Sequence, residues 1–403
     1  MSNKTTTIRF ADFVTLQRGF DLPESEREPG QYPVVASTSI VGYHSSFKVR
    51  PPGVTTGRSG ALGHVLYIHK PFWPLNTTLW VKNFHNNDAK YVYYYLHTLH
   101  LEQYNAGTGV PTLNRNHLDN LELRVHEEQA QHKIAFILSA YDDLIENNTR
   151  RIKILEEMAQ SIYREWFVNF RFPGHEKVRM VDSKMGKIPE GWEASNLRES
   201  LDSIESGSRP KGGIDPDECE VPSIGAENII GIGKYAFSKE KYVSRKFFLN
   251  MRRGIVRSKD VLLYKDGAQI GRKTLFRDGF PHQECCINEH VFILRSNSRI
   301  TQNCLFFWLD QPDMTQNIRN LNANAAQPGI NQEGVRGLPL LIPTEPLINL
   351  FDDRIEPLLT LLFNLAKKNV VLNKTRDIIL PRLISGEIDV ADLDIAIIDN
   401  GGN

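Results

Sequence analysis

Residues 134 to 166 read IAFILSAYDDLIENNTRRIKILEEMAQSIYREW, and this stretch decides the fold. Its apolar positions recur at steps that alternate between four and three residues without a break, with Asn148 as the one polar member. That spacing is the a/d seam of a heptad repeat, and it predicts a long helix that buries one narrow stripe. The seam consists of Ile134, Leu138, Tyr141, Ile145, Asn148, Ile152, Leu155, Ala159, Ile162 and Trp166.

A second seam of the same kind lies 217 residues further along the chain. It consists of Phe351, Ile355, Leu358, Leu362, Leu365, Asn369, Leu372, Arg376, Ile379 and Leu383. Each seam contains one asparagine, a residue that selects the register of a coiled coil at some cost in stability. Two matching seams favour helices that pair with each other, although two amphipathic helices packed on their own domains have the same pattern. Pro357 lies inside the second seam and is expected to kink that helix or to delay its start.

The two seams end the two copies of an imperfect tandem repeat. Residues 32–42 align with 221–231 at an offset of 189, Gly60-Ala61 aligns with Gly267-Ala268 at 207, and 110–114 aligns with 327–331 at 217. An ordered series of matches with a rising offset is hard to obtain by chance. The rise from 189 to 217 means that the second copy has gained 28 residues.

The repeat and the seams together predict an α+β protein. Two globular domains of mixed α/β structure, at 1–126 and 188–343, are joined by two long helices that form a coiled coil, at 127–172 and 344–386. Residues 173–187 are predicted to be a linker. Residues 387–403, with five acidic side chains, are predicted to be an acidic mobile tail.

Composition and motifs exclude several classes of protein. No apolar run approaches the roughly 18 residues of a membrane span, the N-terminus has no signal-peptide core, and the four cysteines are interpreted as free thiols, so a cytoplasmic protein without a membrane is expected. The chain has no phosphate-binding Gly-rich loop, no zinc-ligand spacing and no nucleophile elbow. We therefore expect no metal and no cofactor bound by this chain, and the missing motifs are consistent with a chain that has no catalytic residues, which the family resemblance given below implies.

One segment has a strong charge, although the 48 basic and 48 acidic residues of the chain balance. Residues 234–277 contain 13 basic and three acidic side chains, a net charge of +10. Clustered cations predict a DNA-phosphate surface, because they release condensed counterions; a solvated, self-repelling surface is the alternative. Two glycine-flanked loops at corresponding places in the copies add candidate DNA contacts, or are tight hairpins with solvated side chains. The candidates are Arg58, Ser59, Gly60, His64, Lys211, Lys265, Gly267, Arg272 and Lys273.

Several short motifs, taken together in their sequence order, resemble those of the specificity subunits of type I restriction–modification systems. The resemblance covers nearly the whole chain. It rests on the repeat, on Gly19 and Gly207 after similar segments, on Ile188-Pro-Glu-Gly-Trp192 and on Gly109-Val-Pro-Thr-Leu-Asn114. Glu128-Gln129 at the opening of the first helix is similar as well, whereas the second copy has Thr344-Glu345-Pro346 at that place.

The resemblance implies two target-recognition domains, each reading half of a split, asymmetric site on double-stranded DNA. Antiparallel helices then fix the spacing of the domains in a pseudo-two-fold arrangement. It also implies two DNA-methyltransferase (modification) subunits as partners, and restriction/translocase subunits through them. Those partners use S-adenosylmethionine, ATP and Mg²⁺. A stand-alone DNA-modifying enzyme with an unrecognised active site and a coiled-coil scaffold without a DNA role are the alternatives.

Overall fold

The computed structural model describes residues 5–210, 219–322 and 329–395. These residues form two compact units, each with a globular module and parts of two long helices. The first unit comprises the chain up to Ile145 and from Val371 onward, and the second comprises Glu146–Val370. Both units mix strands and helices, as the sequence predicts.

The globular module of the first unit contains nine strands and two helices in the described residues. They are β1 (Thr5–Arg9), α1 (Phe10–Phe13), β2 (Thr15–Arg18), β3 (Tyr32–Val35), β4 (Ile40–His44), β5 (Gly53–Gly57), β6 (Val65–Ile68), β7 (Trp73–Pro74), β8 (Thr78–Asn83), α2 (Ala89–Thr98) and β9 (Glu122–His126). The order β2-β8-β5-β6 forms an antiparallel sheet, β4-β3-β7 a sheet with a parallel β3/β7 pair, and β1-β9 a two-stranded ladder. Helix α2 packs its tyrosines against these sheets in the main core.

The second unit contains a module with the same sheets. Its elements are β10 (Met180–Ser183), β11 (Gly186–Pro189), β12 (Glu193–Asn196), β13 (Leu201–Ser206), β14 (Val221–Ile224), β15 (Lys241–Val243), α4 (Arg245–Leu249), β16 (Val261–Tyr264), β17 (Lys273–Leu275), β18 (Cys286–Ile287), β19 (Val291–Ser296), α5 (Gln302–Leu309), α6 (Pro312–Asn320), α7 (Gln332–Arg336) and β20 (Pro339–Ile342). The order β13-β19-β16-β17 repeats that of β2-β8-β5-β6, and β15-β14-β18 repeats β4-β3-β7 with its parallel pair.

Individual backbone contacts repeat as well, at the offsets that the sequence alignment predicts. The Leu113 N–H donates to the Arg58 carbonyl at 2.8 Å, and the Ile330 N–H donates to the Lys265 carbonyl at 2.7 Å. These pairs differ by 217 and 207 residues, the two later offsets of the repeat. Helix α4 follows β15, and in the first module no helix lies between β4 and β5 among the described residues. The additional residues of the second copy therefore include α4.

Two long helices, α3 (Glu128–Tyr163) and α8 (Glu345–Ile384), contribute residues to both units. Within the second unit they run antiparallel: Tyr163 lies edge-on to Phe351 at 5.6 Å between ring centroids, and the Asn148 side-chain amide donates to Asn369 Oδ1 at 2.9 Å. Within the first unit Asp142 pairs with Arg376, and Lys133 Nζ donates to the Val390 and Ala391 carbonyls. All residues of both predicted seams are buried or half-buried.

Pro357 does not delay the start of the second helix, because α8 begins at Glu345 and continues through the proline. The ring of Pro357 is exposed, so water can reach the backbone carbonyl that loses its N–H partner. On the opposite face Ile355 and Leu359 are completely buried. Their burial offsets the proline cost of about 3 kcal/mol, since a buried leucine-sized side chain contributes about 1.5–3 kcal/mol.

Three predicted boundaries differ from the structure. The α-helical part of α3 ends at Tyr163 and is followed by one π-helical turn at Arg164–Val168, so it is shorter than predicted. The predicted linker is partly ordered, because β10 and β11 pair as a hairpin. The predicted mobile tail begins with a packed segment. Val390 in that segment is fully buried, because it belongs to the same hydrophobic core of the first unit as Leu383.

Candidate nucleic-acid interface

A polar cleft of about 1050 Å³ opens in the first module, between the end of β2 and the loops that follow β5 and α2. Four cations line it, and Asp21 is its single carboxylate. The lining residues are Gln17, Arg18, Gly19, Phe20, Asp21, Arg58, Leu79, Lys82, Ala106, Thr112, Leu113, Asn114 and Arg115. We call this site the cationic cleft.

The cations of the cleft have no carboxylate partners among the described residues. Arg58 Nε donates to the Asn76 carbonyl at 3.1 Å, and Arg115 Nη1 donates to the Leu16 carbonyl at 3.1 Å, so backbone oxygens orient both guanidinium groups. Burial lowers the pKa of Arg58, and the nearby charge of Arg18 lowers it further. A cluster of four cations with one carboxylate attracts an anion, and the guanidinium fork of Arg matches phosphate and carboxylate oxygens.

Only one of the four DNA contacts that the sequence predicts in the first module lines this cleft. Arg58 lines it, whereas Ser59, Gly60 and His64 do not belong to its lining. Gly60 is exposed with φ +87° and has open space around the position of a Cβ, so its backbone is accessible to a ligand. His64 is exposed and Ser59 is half-buried.

Sequence analysis missed Gln17, Arg18, Lys82 and Arg115 as members of this site. Two of them stand beside motifs that carried the family resemblance: Arg18 precedes Gly19, and Arg115 follows Asn114. The position of these two arginines next to the motifs would have been enough to choose them as candidate contacts. It could not show that the four side chains meet, because sheet pairing brings them together from distant parts of the chain.

The second module does not repeat the cationic cleft at the matching positions. Strand pairing aligns Ser206 with Arg18 and Arg295 with Lys82, and the repeat offsets align Lys265 with Arg58 and Gln332 with Arg115. Arg295 is neutralised, since it donates to both oxygens of Asp260 at 2.7 Å and to Glu205. Lys265 is the only available cation among these four residues.

The predicted DNA contacts of the second module differ in whether a ligand can reach them. Lys265 is half-buried with Nζ 4.9 Å from the centroid of Phe292, and Gly267 adopts φ +81° beside Tyr264. Arg272 is exposed, but Lys273 is buried, so the prediction that Lys273 contacts DNA is wrong. Its ammonium donates to the Leu309 carbonyl at 2.8 Å and to Thr315 Oγ1 at 2.6 Å, and burial lowers its pKa. Lys211 lies outside the described residues.

The comparisons with known proteins agree with one another. Residues 3–157 match the family model described as Type I restriction modification DNA specificity domain. The chain is 25% identical to the Type I restriction enzyme MjaIX specificity subunit of Methanocaldococcus jannaschii, over 86% of this chain and 80% of that one. It is 22% identical to the HindI specificity subunit of Haemophilus influenzae, over 69% and 71% of the two chains. The chain is therefore similar to type I restriction–modification specificity subunits over most of its length.

A solved structure has the same fold. The type I restriction–modification S subunit from M. genitalium superposes with a TM-score of 0.59 at 16% identity, covering 94% of this chain and 96% of that one. No helix in the described part of the chain is long and apolar enough to cross a membrane. Among the same residues, no group of three or more His, Cys, Asp or Glu side chains is placed to hold a metal ion.

The basic segment at residues 234–277 is not one continuous cationic surface. Lys273 and Arg277 are buried, and Arg277 pairs with Glu356. Four further cations have carboxylate partners: Lys234 with Glu156, Lys241 with Glu227, Arg245 with Glu284 and Lys259 with Glu356. The exposed cations without an ion pair in the described residues are Lys239, Lys246, Arg252, Arg253, Arg257 and Arg272. The available charge is therefore much smaller than the sequence count indicates.

Proposed function

We propose that this chain is the DNA-recognition subunit of a type I restriction–modification complex and performs no catalytic step itself. Its two modules read the two halves of a bipartite, asymmetric site on double-stranded DNA. The cationic cleft is the observation that carries this proposal, because its cations form no ion pair within the described residues and its amide and guanidinium groups match base edges and phosphates. Arg58 and Arg115 are the residues best oriented for such contacts.

The difference between the modules supports an asymmetric site. Where the first module has Gln17, Arg18 and Arg115, the second has Glu205, Ser206 and Gln332. Arginine pairs with guanine O6 and N7, whereas the hydroxyl of the aligned Ser206 makes a less selective contact and Glu205 is bound to Arg295, so the aligned positions present different chemistry. Two half-sites of different sequence follow from that difference.

The test uses the full chain assembled with its modification subunits. The complex is expected to methylate specific sites when supplied with S-adenosylmethionine, and the chain alone is expected to methylate none. An R18A/R115A variant should lose affinity for specific DNA, and the slope of log Kobs against log[salt] should fall by about 0.9 for each phosphate contact removed. R198A is the matched control, because Arg198 is exposed but paired with Glu333. Methyl transfer by the chain alone, or an unchanged slope in R18A/R115A, contradicts the proposal.

The two modification subunits are proposed to dock on the outer faces of the long helices. On α3, Phe136 and Leu144 are about half exposed in the first unit, and Ile154 and Met158 are in the second. These side chains lie beside the buried seam rather than in it, and exposed apolar stripes of this kind are typical of protein interfaces. S-adenosylmethionine, ATP and Mg²⁺ are proposed to bind to the partner subunits, with the restriction/translocase subunits joining through the modification subunits. The cytoplasmic location stays a prediction.

The long helices are proposed to act as an antiparallel coiled coil that sets the spacing between half-sites. Seven residues inserted after Ile145 and seven after Val370 add one heptad at the boundary between the units in both helices, and they preserve both seams. The insertion adds about 10 Å at about 1.5 Å per residue. Because B-DNA rises about 3.4 Å per base pair, the spacer of the methylated site should grow by about three base pairs.

Genome-wide mapping of methylated sites in a strain carrying the double insertion measures that spacing. The half-site sequences are expected to stay the same, since neither module is altered. A single insertion after Ile145 is the control. It shifts the seam of one helix by seven residues out of register with the seam of the other helix, which should abolish assembly. Methylated sites with the original spacing would show that the helices do not determine it.

A further inference from the structure

The inserted helix α4 and the loop after it carry exposed side chains that the function of the first module does not explain. Lys246, Arg252 and Arg253 are exposed and have no ion pair among the described residues. Leu249 stands between them in sequence and is 71% exposed, more than any other large hydrophobic side chain in the described part of the chain. We call residues 246–253 the α4 segment.

Hydrogen bonds and packing hold the backbone of the α4 segment in place, so its exposed side chains stand on a defined helix. Ser244 caps the helix by accepting a hydrogen bond from the Phe247 N–H, and the Asn250 side chain donates to the Lys246 carbonyl. Phe248 is 5% exposed and packs with Val221, Val243 and Cys286 under the helix. Leu249, one residue later, therefore points away from this core.

The end of the segment lies where the first module has its cationic cleft. The Gly254 N–H donates to Glu205 at 2.7 Å, and a Cβ on Gly254 would come within 3.0 Å of Gly207. Glu205 and Gly207 correspond to Gln17 and Gly19, which line the cleft of the first module. Arg252 and Arg253 immediately precede Gly254. The insertion thus supplies cations close to the position where Ser206 has replaced Arg18.

We propose that the α4 segment is the DNA-contacting element of the second module, with Lys246, Arg252 and Arg253 binding phosphates and Leu249 packing on the bases. This inference rests on the proposed function. Duplex DNA is the occupant that fits, because three cations flank the apolar side chain in sequence and the segment contains no anionic residue. Apolar side chains in such surroundings contact thymine methyl groups or enter a base step.

The experiment compares two triple variants of the full chain in complex with its modification subunits. K246A/R252A/R253A removes the three cations of the segment. K184A/K187A/R319A removes three exposed cations elsewhere in the second unit that also have no ion pair among the described residues. The probes are the specific duplex identified by methylation mapping and two duplexes in which one half-site or the other is scrambled. Binding is measured by fluorescence anisotropy at several salt concentrations.

The segment variant should lower the salt slope by about 2–3, at about 0.9 per phosphate contact, and the control variant should keep the slope. The segment variant should weaken binding to the specific duplex and to both scrambled duplexes, because phosphate contacts carry no sequence information. L249A should lose discrimination against one scrambled half-site, and R18A/R115A should lose it against the other. L249A should weaken binding about tenfold without a change in slope, because the lost contact is apolar.

The outcomes separate this inference from the proposed function. If the wild-type complex does not discriminate any duplex, the proposed function fails. If it does, and K246A/R252A/R253A binds with an unchanged salt slope, the cations of the α4 segment do not contact DNA phosphates. L249A binding like the wild type, or losing subunit assembly instead of DNA affinity, overturns the role of Leu249.

Discussion

Lys273 and Arg272 are adjacent cations that the sequence treats alike, and the structure predicts opposite effects for their alanine variants. Lys273 is buried, with its ammonium bonded to the Leu309 carbonyl and Thr315 Oγ1, whereas Arg272 is exposed without an ion pair in the described residues. Removing the buried stem of Lys273 leaves a cavity, which costs about 2–5 kcal/mol in comparable cases. Lost interactions of the ammonium, which include its ion pair with Asp310 at 3.5 Å, add about 1.5–3 kcal/mol, and relief from burying a charge offsets part of this.

The free energy of unfolding of K273A should therefore fall by about 2–4 kcal/mol, and that of R272A by less than about 0.5 kcal/mol. Urea unfolding followed by tryptophan fluorescence measures the difference, because Trp308 lies in the same core beside Leu309. With an m-value of about 2–3 kcal/mol per molar urea, the K273A midpoint should drop by roughly 1 M. Folded K273A should keep the salt dependence of DNA binding. Wild-type stability together with a flattened salt dependence in K273A would refute the assignment of Lys273 to the core.

Two further predictions concern the helices and the first core. Replacing Asn148 alone by leucine should destabilise the protein by about 1–2 kcal/mol, because the hydrogen bond from the Asn148 amide to Asn369 Oδ1 is lost. Adding Asn369→Leu should recover part of that loss, and additive effects in a double-mutant cycle contradict the pairing. Burial raises the pKa of Tyr93 and of Tyr95 to about 12, above the ordinary value near 10. Their contribution to the free energy of unfolding is therefore fully present below pH 10 and is lost as the pH rises through 12. Thermal unfolding between pH 9 and 12 measures this loss, which Tyr93→Phe should reduce; a loss of equal size in Tyr93→Phe argues against it.

The fold could be predicted from the sequence where the signal is periodic or repeated. The heptad spacing identified both long helices, and the first offset of 189 aligned β3 with β14. The ends of the elements were predicted less well. Pro357 was expected to disturb its helix, but its cost depends on whether its ring is exposed and on what the opposite face buries, and neither is a local property of the sequence.

The candidate site was predicted only in part, and the reason lies in the range of the interactions. The sequence by itself determined the repeat, the seams and the excess of cations at 234–277, because each of these depends on spacing or on composition. Only the tertiary structure decided which cations are available. Lys273 became a core residue through its contacts with Leu309 and Thr315, and Arg18, Arg58 and Arg115 became one cleft through strand pairing across the module. Charge belongs to the residue type, but its exposure and its neighbours belong to the fold.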